Sequence, residues 1–126
     1  MSLLLDTHVL LWWLADDPRL PGPAAAAIGD GQTPVLVSAV SAWEISIERA
    51  AGRLEAPDDL MGALDESDFD TVPITIGHAL AAGALPPYHG DPFDRMLIAQ
   101  ARVDGLTIVT VDRRFAAYEV DLLPLG

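Results

Sequence analysis

The chain opens with LLLDTH at residues 3–8, a short apolar run that stops at an acid and a hydroxyl residue. A run of this kind is typical of a strand that is buried on both faces, as in a parallel sheet. Either Asp6 or Thr7 can cap a helix that begins at about residue 8 and runs to residue 15. The stretch therefore predicts a buried strand followed directly by a helix.

The same alternation continues along the whole chain. Strands are predicted at residues 3–5, 34–37, 71–74, 106–110 and 120–123, the fourth being the longest. Helices are predicted at residues 8–15, 23–28, 39–51, 57–66, 76–84 and 92–105, with a helical turn at 112–117. Alternation of this kind favours a three-layer α/β/α domain with a mostly parallel central sheet. With no linker or repeat, residues 1–126 are expected to form one domain.

The composition narrows the classes of function. The chain has 126 residues, 51% of them hydrophobic, which argues against disorder. It has no cysteine, which excludes disulfides, cysteine-ligated zinc, iron–sulfur clusters and thiol nucleophiles. Its longest apolar run, residues 9–15, is too short to span a bilayer. We therefore expect a soluble, cytoplasmic protein with no membrane partner.

The charge is strongly acidic. Seven arginines and no lysine stand against nineteen acids, for a formal net charge of −12. A diffuse basic surface for nucleic acid is therefore excluded, because phosphate neutralisation supplies most non-specific affinity. A nucleic-acid ligand would need metal ions and a few placed arginines, and a basic protein partner would be steered towards the chain.

Four acids fall where the predicted strands end or where the following helices begin. Asp6 ends the first strand, Asp112 follows the strand at 106–110, and Glu44 and Asp94 lie near helix starts. Ligands of open parallel sheets gather beyond the carboxyl ends of the strands. If these acids converge, like charges require a cation, and oxygen-only ligation suits Mg²⁺ or Mn²⁺.

Each acid also has a purely structural interpretation. Asp6 and Asp112 can cap helices, the pair Asp91 and Asp94 fits an ordinary helix start around Pro92, and Ser41 with Glu44 fits a capping box. Spacing alone leaves both interpretations open.

The arginines near the candidate ligands and the histidines also have both a functional and a structural interpretation. Arg95, Arg113 and Arg114 directly follow candidate ligands, so they either approach a phosphate or balance nearby acids. The three histidines, His8, His78 and His89, form no metal-ligand pattern, and core or surface placement is the better interpretation of each.

Two rival functions belong to different classes. A phosphotransfer domain of the receiver or haloacid-dehalogenase type normally needs a lysine beside the phosphoryl group, and the chain has none. A catalytically silent module that binds a partner protein could use Trp12 and Trp13 on the apolar first helix, although such a helix is usually just buried. The four intact acids favour an enzyme over a silent module.

The four acid-bearing stretches together resemble the motifs of PIN-domain proteins, in their usual order. The stretches are LLLDTH at 3–8, SAVSAWE at 38–44, DPFDRMLIAQA at 91–101 and LTIVTVD at 106–112. The likeness is greatest to VapC-type toxins of bacterial toxin–antitoxin pairs, and it extends over nearly the whole chain.

This resemblance implies a metal-dependent endoribonuclease that cleaves structured RNA such as tRNA or rRNA. It also implies a homodimer and a cognate antitoxin protein. Asp6, Glu44, Asp94 and Asp112 would be the catalytic and metal-binding acids, with Mg²⁺ or Mn²⁺ as the cofactor. Thr110 occupies the place of an assisting hydroxyl residue, and Asp91 then remains a helix cap.

Overall fold

Four parallel strands form the centre of the molecule, whose computed structural model describes residues 1–125. The strands are β1 (Leu3–Leu5), β2 (Val35–Ser38), β3 (Asp70–Val72) and β4 (Thr107–Val109). They lie in the order β3-β2-β1-β4, and every pair is parallel. The chain first builds the sheet on one side of β1, with β2 and β3, and then adds β4 on the other side. The order of the strands therefore reverses at β1.

Six α-helices connect or follow the strands. They are α1 (Thr7–Leu14), α2 (Gly22–Gly29), α3 (Ala39–Ala50), α4 (Leu60–Glu66), α5 (Ile76–Ala84) and α6 (Pro92–Asp104), followed by a 3₁₀ helix (Arg113–Ala117). Within residues 1–125 no helix combines the length and the apolar character needed to cross a bilayer.

Two hydrophobic cores lie on opposite faces of the sheet. Side chains alternate between the faces of a strand, so the three leucines of β1 are divided between the cores. Leu4 packs with residues of α5 and α6. Leu3 and Leu5 pack with residues of α1, α2 and α4. All three leucines are completely buried, and the predicted three-layer α/β/α architecture is confirmed.

The predicted C-terminal strand at 120–123 is wrong. Only an isolated parallel bridge between Ile108 and Leu122 forms there. In the short strand β4, Thr107 and Val109 direct their backbone bonds to Ser2 and Asp6 beside β1. Within β4, only the backbone groups of Ile108 face away from β1, and they bond to Asp121 and Leu123. A ladder longer than this single bridge therefore does not form.

Two other boundaries shift by a few residues. The edge strand lies at Asp70–Val72 rather than at 71–74, so Pro73 follows the strand instead of interrupting it. The helix expected from residue 57 begins at Leu60, because the Asp59 carboxylate caps it by accepting from the Gly62 N–H at 3.0 Å.

Candidate active site

A cleft opens where the sheet order reverses, beyond the carboxyl ends of β1 and β4. This is the position at which open α/β sheets bind their ligands. The cavity has a volume of about 230 Å³, and five acids line it: Asp6, Glu44, Asp91, Asp94 and Asp112. All four acids predicted as ligands are therefore brought together, along with the cap residue Asp91.

Asp6 caps a helix and lines the cleft at the same time. One carboxylate oxygen accepts from the Val9 N–H at 2.8 Å, which caps α1, and the other accepts from the Thr110 hydroxyl. The residue is only 5% exposed. Burial raises the pKa of Asp6, although the hydrogen bonds from Thr110 and Val9 oppose that rise. Capping and ligation are thus not exclusive alternatives for this acid.

Glu44 is held by a side chain of another helix. The Thr7 hydroxyl donates to its carboxylate at 2.6 Å, which ties α3 to the first turn of α1. The capping-box interpretation of Ser41 and Glu44 is wrong, because α3 begins after Ser38, whose hydroxyl accepts from the Val40 N–H at 3.0 Å. Burial raises the pKa of Glu44, although the hydrogen bond from Thr7 opposes that rise.

The ionisation of Asp94 is perturbed by burial and by the neighbouring acids. Burial, followed by the charges of Asp91 and Asp6, raises its pKa to about 6, against the opposing hydrogen bond from His89. The cap prediction for Asp91 is confirmed, since its carboxylate accepts from the N–H groups of Phe93 and Asp94 at 2.8 and 3.0 Å. Asp94 itself is not bound by its own helix.

Asp112 differs from the other acids because it has a cationic partner. Arg114 contacts its carboxylate at 2.7 Å, and the hydrogen bond from this guanidinium lowers the pKa of Asp112. The Asp112 carboxylate also caps the 3₁₀ helix through the Arg114 N–H at 2.9 Å. Thr110 lies between the two strand-end acids, since its hydroxyl donates to Asp6 and accepts from the Asp112 N–H at 3.0 Å.

The structure does not place Arg95 at the cleft. Its guanidinium donates to the backbone carbonyls of Ala82, Leu85, Pro86 and His89 at 2.9–3.2 Å, the last two through one nitrogen. The expectation that Arg95 supports a phosphate is therefore corrected, because these carbonyls already occupy its donors. Among the arginines that follow candidate ligands, Arg114 is the one that lines the cavity.

His89 is the site residue that the sequence did not single out. Its imidazole Nε2 lies 2.7 Å from the Asp94 carboxylate, and its side chain is 3% exposed. The interpretation of His89 as a residue satisfied in the core is incomplete, because its partner is a cleft acid. The sequence shows only that His89 precedes Asp94 by five residues. No spacing rule predicts a contact between a histidine and an acid at that separation.

The two tryptophans of α1 lie in different places, one against the core and the other at the cleft. Trp13 packs on Phe69 with ring centroids 6.1 Å apart, as expected for a buried position. Trp12 is half-buried and lines the cleft, and the Arg19 guanidinium lies 5.5 Å from its ring centroid.

The donor set of the cleft fits a divalent cation. The pKa values of Asp6, Glu44 and Asp94 are all raised, which shows that burial and like charge penalise the ionised carboxylates. Carboxylate oxygens with room for water are the ligands that Mg²⁺ and Mn²⁺ prefer. Ligand atoms of His89, Asp94 and Asp112 lie within 4.8 Å of one another, close enough to share one ion.

Comparison with known proteins gives matches over most of the chain. The family model described as the PIN domain matches residues 3–121. A protein of Mycobacterium tuberculosis named Ribonuclease VapC22 is 34% identical over 120 residues, which cover 93% of this chain and 92% of that protein.

Solved structures share the fold at lower sequence identity. VapBC2 from Rickettsia felis, bound to a DNA fragment from its promoter, matches with a TM-score of 0.73 at 13% identity, covering 98% of both chains. A toxin–antitoxin complex from Klebsiella pneumoniae matches with a TM-score of 0.70 at 20% identity, covering 99% of this chain and 98% of that one.

Proposed function

This chain belongs to the PIN domain family, and from that premise we propose that it is a cytoplasmic, metal-dependent endoribonuclease, the toxin of a toxin–antitoxin pair. One observation carries the proposal. Acids from four separated points of the chain, Asp6, Glu44, Asp94 and Asp112, line one cleft at the reversal point of the sheet. The relative named as a ribonuclease, at 34% identity, supports the same reaction class.

Each acid has a distinct part in the proposed chemistry. A bound Mg²⁺ or Mn²⁺ would supply polarisation of the scissile phosphate and a water of lowered pKa. Asp6 and Asp94 would be its main ligands, with Glu44 and Asp112 completing the set. Glu44, which is held by Thr7, or Asp112 would orient the metal shell or accept the proton of the attacking water. The expected products are a 5′-phosphate and a 3′-hydroxyl, because the RNA 2′-hydroxyl is not the nucleophile.

The charge of the chain limits how RNA can be held. A net charge of −12 leaves little general attraction for phosphates, so the cations at the cleft must make most of the contact. Arg114 is the protein cation that lines it, and it is paired with Asp112. The proposed substrate is structured RNA such as tRNA or rRNA, whose exposed loops can enter a narrow cleft.

A cognate antitoxin and a second copy of the chain are the proposed protein partners. The toxin–antitoxin complex among the structures of the same fold supports the first. The acidic charge would attract a basic antitoxin segment. The exposed side chains of Ile76 and Leu80, one turn apart on α5 and 79% and 71% exposed, support association through that helix.

The proposal is tested by incubating bacterial RNA with purified, antitoxin-free protein in Mg²⁺, in Mn²⁺ and in EDTA. The variants Asp6→Asn and Asp94→Asn are compared with Asp65→Asn, which changes an exposed acid of α4 away from the cleft. Asparagine still caps a helix, so Asp6→Asn removes charge while keeping the cap.

We expect discrete cuts that require metal and decrease by at least about 100-fold in both cleft variants, since even residues behind a ligand cost 10–100-fold. The Asp65 variant should cleave like the unchanged protein. Cuts that end in a 2′,3′-cyclic phosphate would contradict the mechanism. A folded protein that cleaves nothing with either metal would favour the silent partner-binding module.

A further inference from the structure

We propose that His89 is a positioning residue of this site, which holds the Asp94 carboxylate through its imidazole while Arg95 and Tyr118 fix the loop that carries it. The inference rests on the proposed function, because it assigns a role behind one of the proposed metal ligands. A ligand atom of His89 lies within 4.8 Å of those of Asp94 and Asp112, but the His89 Nε2 is engaged by the Asp94 carboxylate at 2.7 Å. The proposed role is therefore orientation of Asp94, with His89 outside the coordination sphere.

The contact between His89 and Asp94 joins the loop before α6 to the first turn of that helix. The imidazole Nε2 lies 2.7 Å from Asp94 Oδ2, and the His89 side chain is 3% exposed against 17% for Asp94. An ionised carboxylate only accepts, so Nε2 carries the proton and donates it. The edge of Phe115, with ring centroids 6.3 Å apart, packs against the imidazole. The donor is therefore buried and restricted in rotation.

Asp94 depends on this donor because its own helix does not hold it. The N–H groups of Phe93 and Asp94, at the start of α6, are taken by Asp91. Among the hydrogen bonds within residues 1–125, His89 is the one partner of the Asp94 carboxylate, and it engages Oδ2 alone. Oδ1 is left for a ligand in the cleft that Asp94 lines.

The loop between α5 and α6 is itself clamped from both sides. Arg95, the residue after Asp94, donates to the carbonyls of Leu85 at 2.9 Å and His89 at 3.2 Å. The Tyr118 hydroxyl accepts from the His89 N–H at 2.9 Å and donates to the Pro86 carbonyl at 2.7 Å. The backbone of His89 is thus bonded on both its N–H and its carbonyl.

These contacts explain why an arginine beside a metal ligand does not face the substrate. Its planar guanidinium has five N–H donors in fixed directions, which suits a set of converging carbonyls. One turn of α6 therefore supplies both a proposed ligand, Asp94, and the clamp of the loop that orients it.

The comparison residue is His78, a second buried histidine that contacts a carboxylate. Its Nε2 lies 3.1 Å from Asp104, and the two side chains are 3% and 36% exposed, but the pair joins α5 to the end of α6 and does not line the cleft. Loss of either histidine removes a contact between a buried imidazole and a carboxylate, and loss of His78 also removes the acceptor of the Thr75 N–H at the start of α5. Only loss of His89 should alter the metal site.

The experiment measures Mn²⁺ affinity by titration, with free Mn²⁺ read from its electron paramagnetic resonance signal. His89→Leu should weaken binding about 10–100-fold, the usual cost of removing a group that orients a metal ligand. His89→Gln, which retains an N–H donor, should recover most of that loss, and His78→Leu should bind like the unchanged protein. Circular dichroism confirms that each variant is folded.

Tyr118→Phe tests the clamp without a change of shape and keeps the proposal testable if His89→Leu fails to fold. Removing the hydroxyl frees the His89 N–H and the Pro86 carbonyl, so Mn²⁺ affinity should fall several-fold. The electron spin echo of bound Mn²⁺ should contain no coupling to a directly coordinated imidazole nitrogen.

Three results would overturn the inference. These are an unchanged Mn²⁺ affinity in folded His89→Leu, a nitrogen coupling that disappears in that variant and marks His89 as a direct ligand, or no binding of Mn²⁺ by the unchanged protein. The cleavage assay reads the proposed function separately. A protein whose Mn²⁺ affinity depends on His89 but which cuts no RNA would retain this inference and lose the nuclease proposal.

Discussion

Asp94 makes the stability of the metal-free protein depend on pH. Its pKa is about 6 in the folded protein, above the ordinary value of 3.8. The folded state therefore holds the proton more tightly than the unfolded state, so stability is lost as pH rises from 3.8 through 6. In EDTA, we expect a higher melting temperature at pH 5.5 than at pH 7.5. The free energy of unfolding should differ between the two pH values by about 1 kcal/mol after screening by solvent.

Asp94→Asn should reduce that difference, and saturating Mg²⁺ should raise the melting temperature chiefly at pH 7.5. The carboxylates whose pKa values are lowered, such as Asp112 and Glu48, remain ionised at both pH values and do not mask the effect. A metal-free protein that is equally stable at both pH values would contradict the raised pKa of Asp94.

If Asp112 is a metal ligand as proposed, Arg114 should compete with the bound cation for its carboxylate. The guanidinium contacts the carboxylate at 2.7 Å, and the two side chains are 64% and 25% exposed. Replacing it by Arg114→Gln should tighten Mn²⁺ binding by no more than about fivefold, because solvent-exposed ion pairs are weak. The same variant should bind RNA more weakly. Arg113→Gln, an exposed neighbour that does not line the cleft, is the control, and weaker Mn²⁺ binding in Arg114→Gln would count against competition.

At the scale of single residues, the sequence predicted which acids meet but not what orients them. Asp6 and Asp112 follow strand ends, and a parallel sheet brings such ends together. The direction of Arg95 could not be predicted, because it depends on carbonyls of α5 and of the following loop, up to thirteen residues away. His89 was not predicted as a site residue for the same reason, because its role depends on a contact with Asp94 that only the folded structure shows.

Gly105 ends α6 in a conformation that other residues adopt only with strain. Its φ is 69° and its N–H bonds to the Ala101 carbonyl. A methyl group added there would meet no atom within 4 Å, so Gly105→Ala should cost about 1 kcal/mol through the backbone alone. Gly83→Ala, within α5 and equally unobstructed, should instead stabilise by about 0.5–1 kcal/mol. Urea unfolding measures both, and RNA cleavage should be unchanged in each.

If Gly105→Ala left the unfolding free energy unchanged, the left-handed end of α6 would not be a constraint. A loss of stability in Gly83→Ala would show that α5 has less room than the structure gives it.

At the scale of elements, short apolar runs alternating with helical segments were the reliable signal. The alternation of Leu3, Leu4 and Leu5 between two cores follows from strand geometry. The segment at 120–123 shows where that signal fails. Its apolar residues do pack beside β4. A strand also needs free backbone N–H and carbonyl groups on its neighbour, and Ile108 is the one residue of β4 that offers them.

At the scale of the whole molecule, the acidic charge predicts how RNA binding responds to salt. A protein with six to ten phosphate contacts loses about 10³–10⁵ in affinity between 50 and 200 mM salt. With a net charge of −12, one or two contacts should remain, and the Michaelis constant for RNA should rise no more than about tenfold over that range at fixed Mg²⁺. Cleavage rates measured against monovalent salt test this. A dependence as steep as that of a basic protein would require a basic surface from a partner or a second copy.

The double use of some acids has a consequence for how related chains would change over time. Asp6, Asp91 and Asp112 each cap a helix, so a lineage that had lost the proposed nuclease activity would still be selected to keep them for folding. Glu44 and Asp94 accept hydrogen bonds only from the side chains of Thr7 and His89 within residues 1–125, and they would be free to drift. Replacement of these two acids, rather than of Asp6, would therefore be the earliest mark of an inactive descendant.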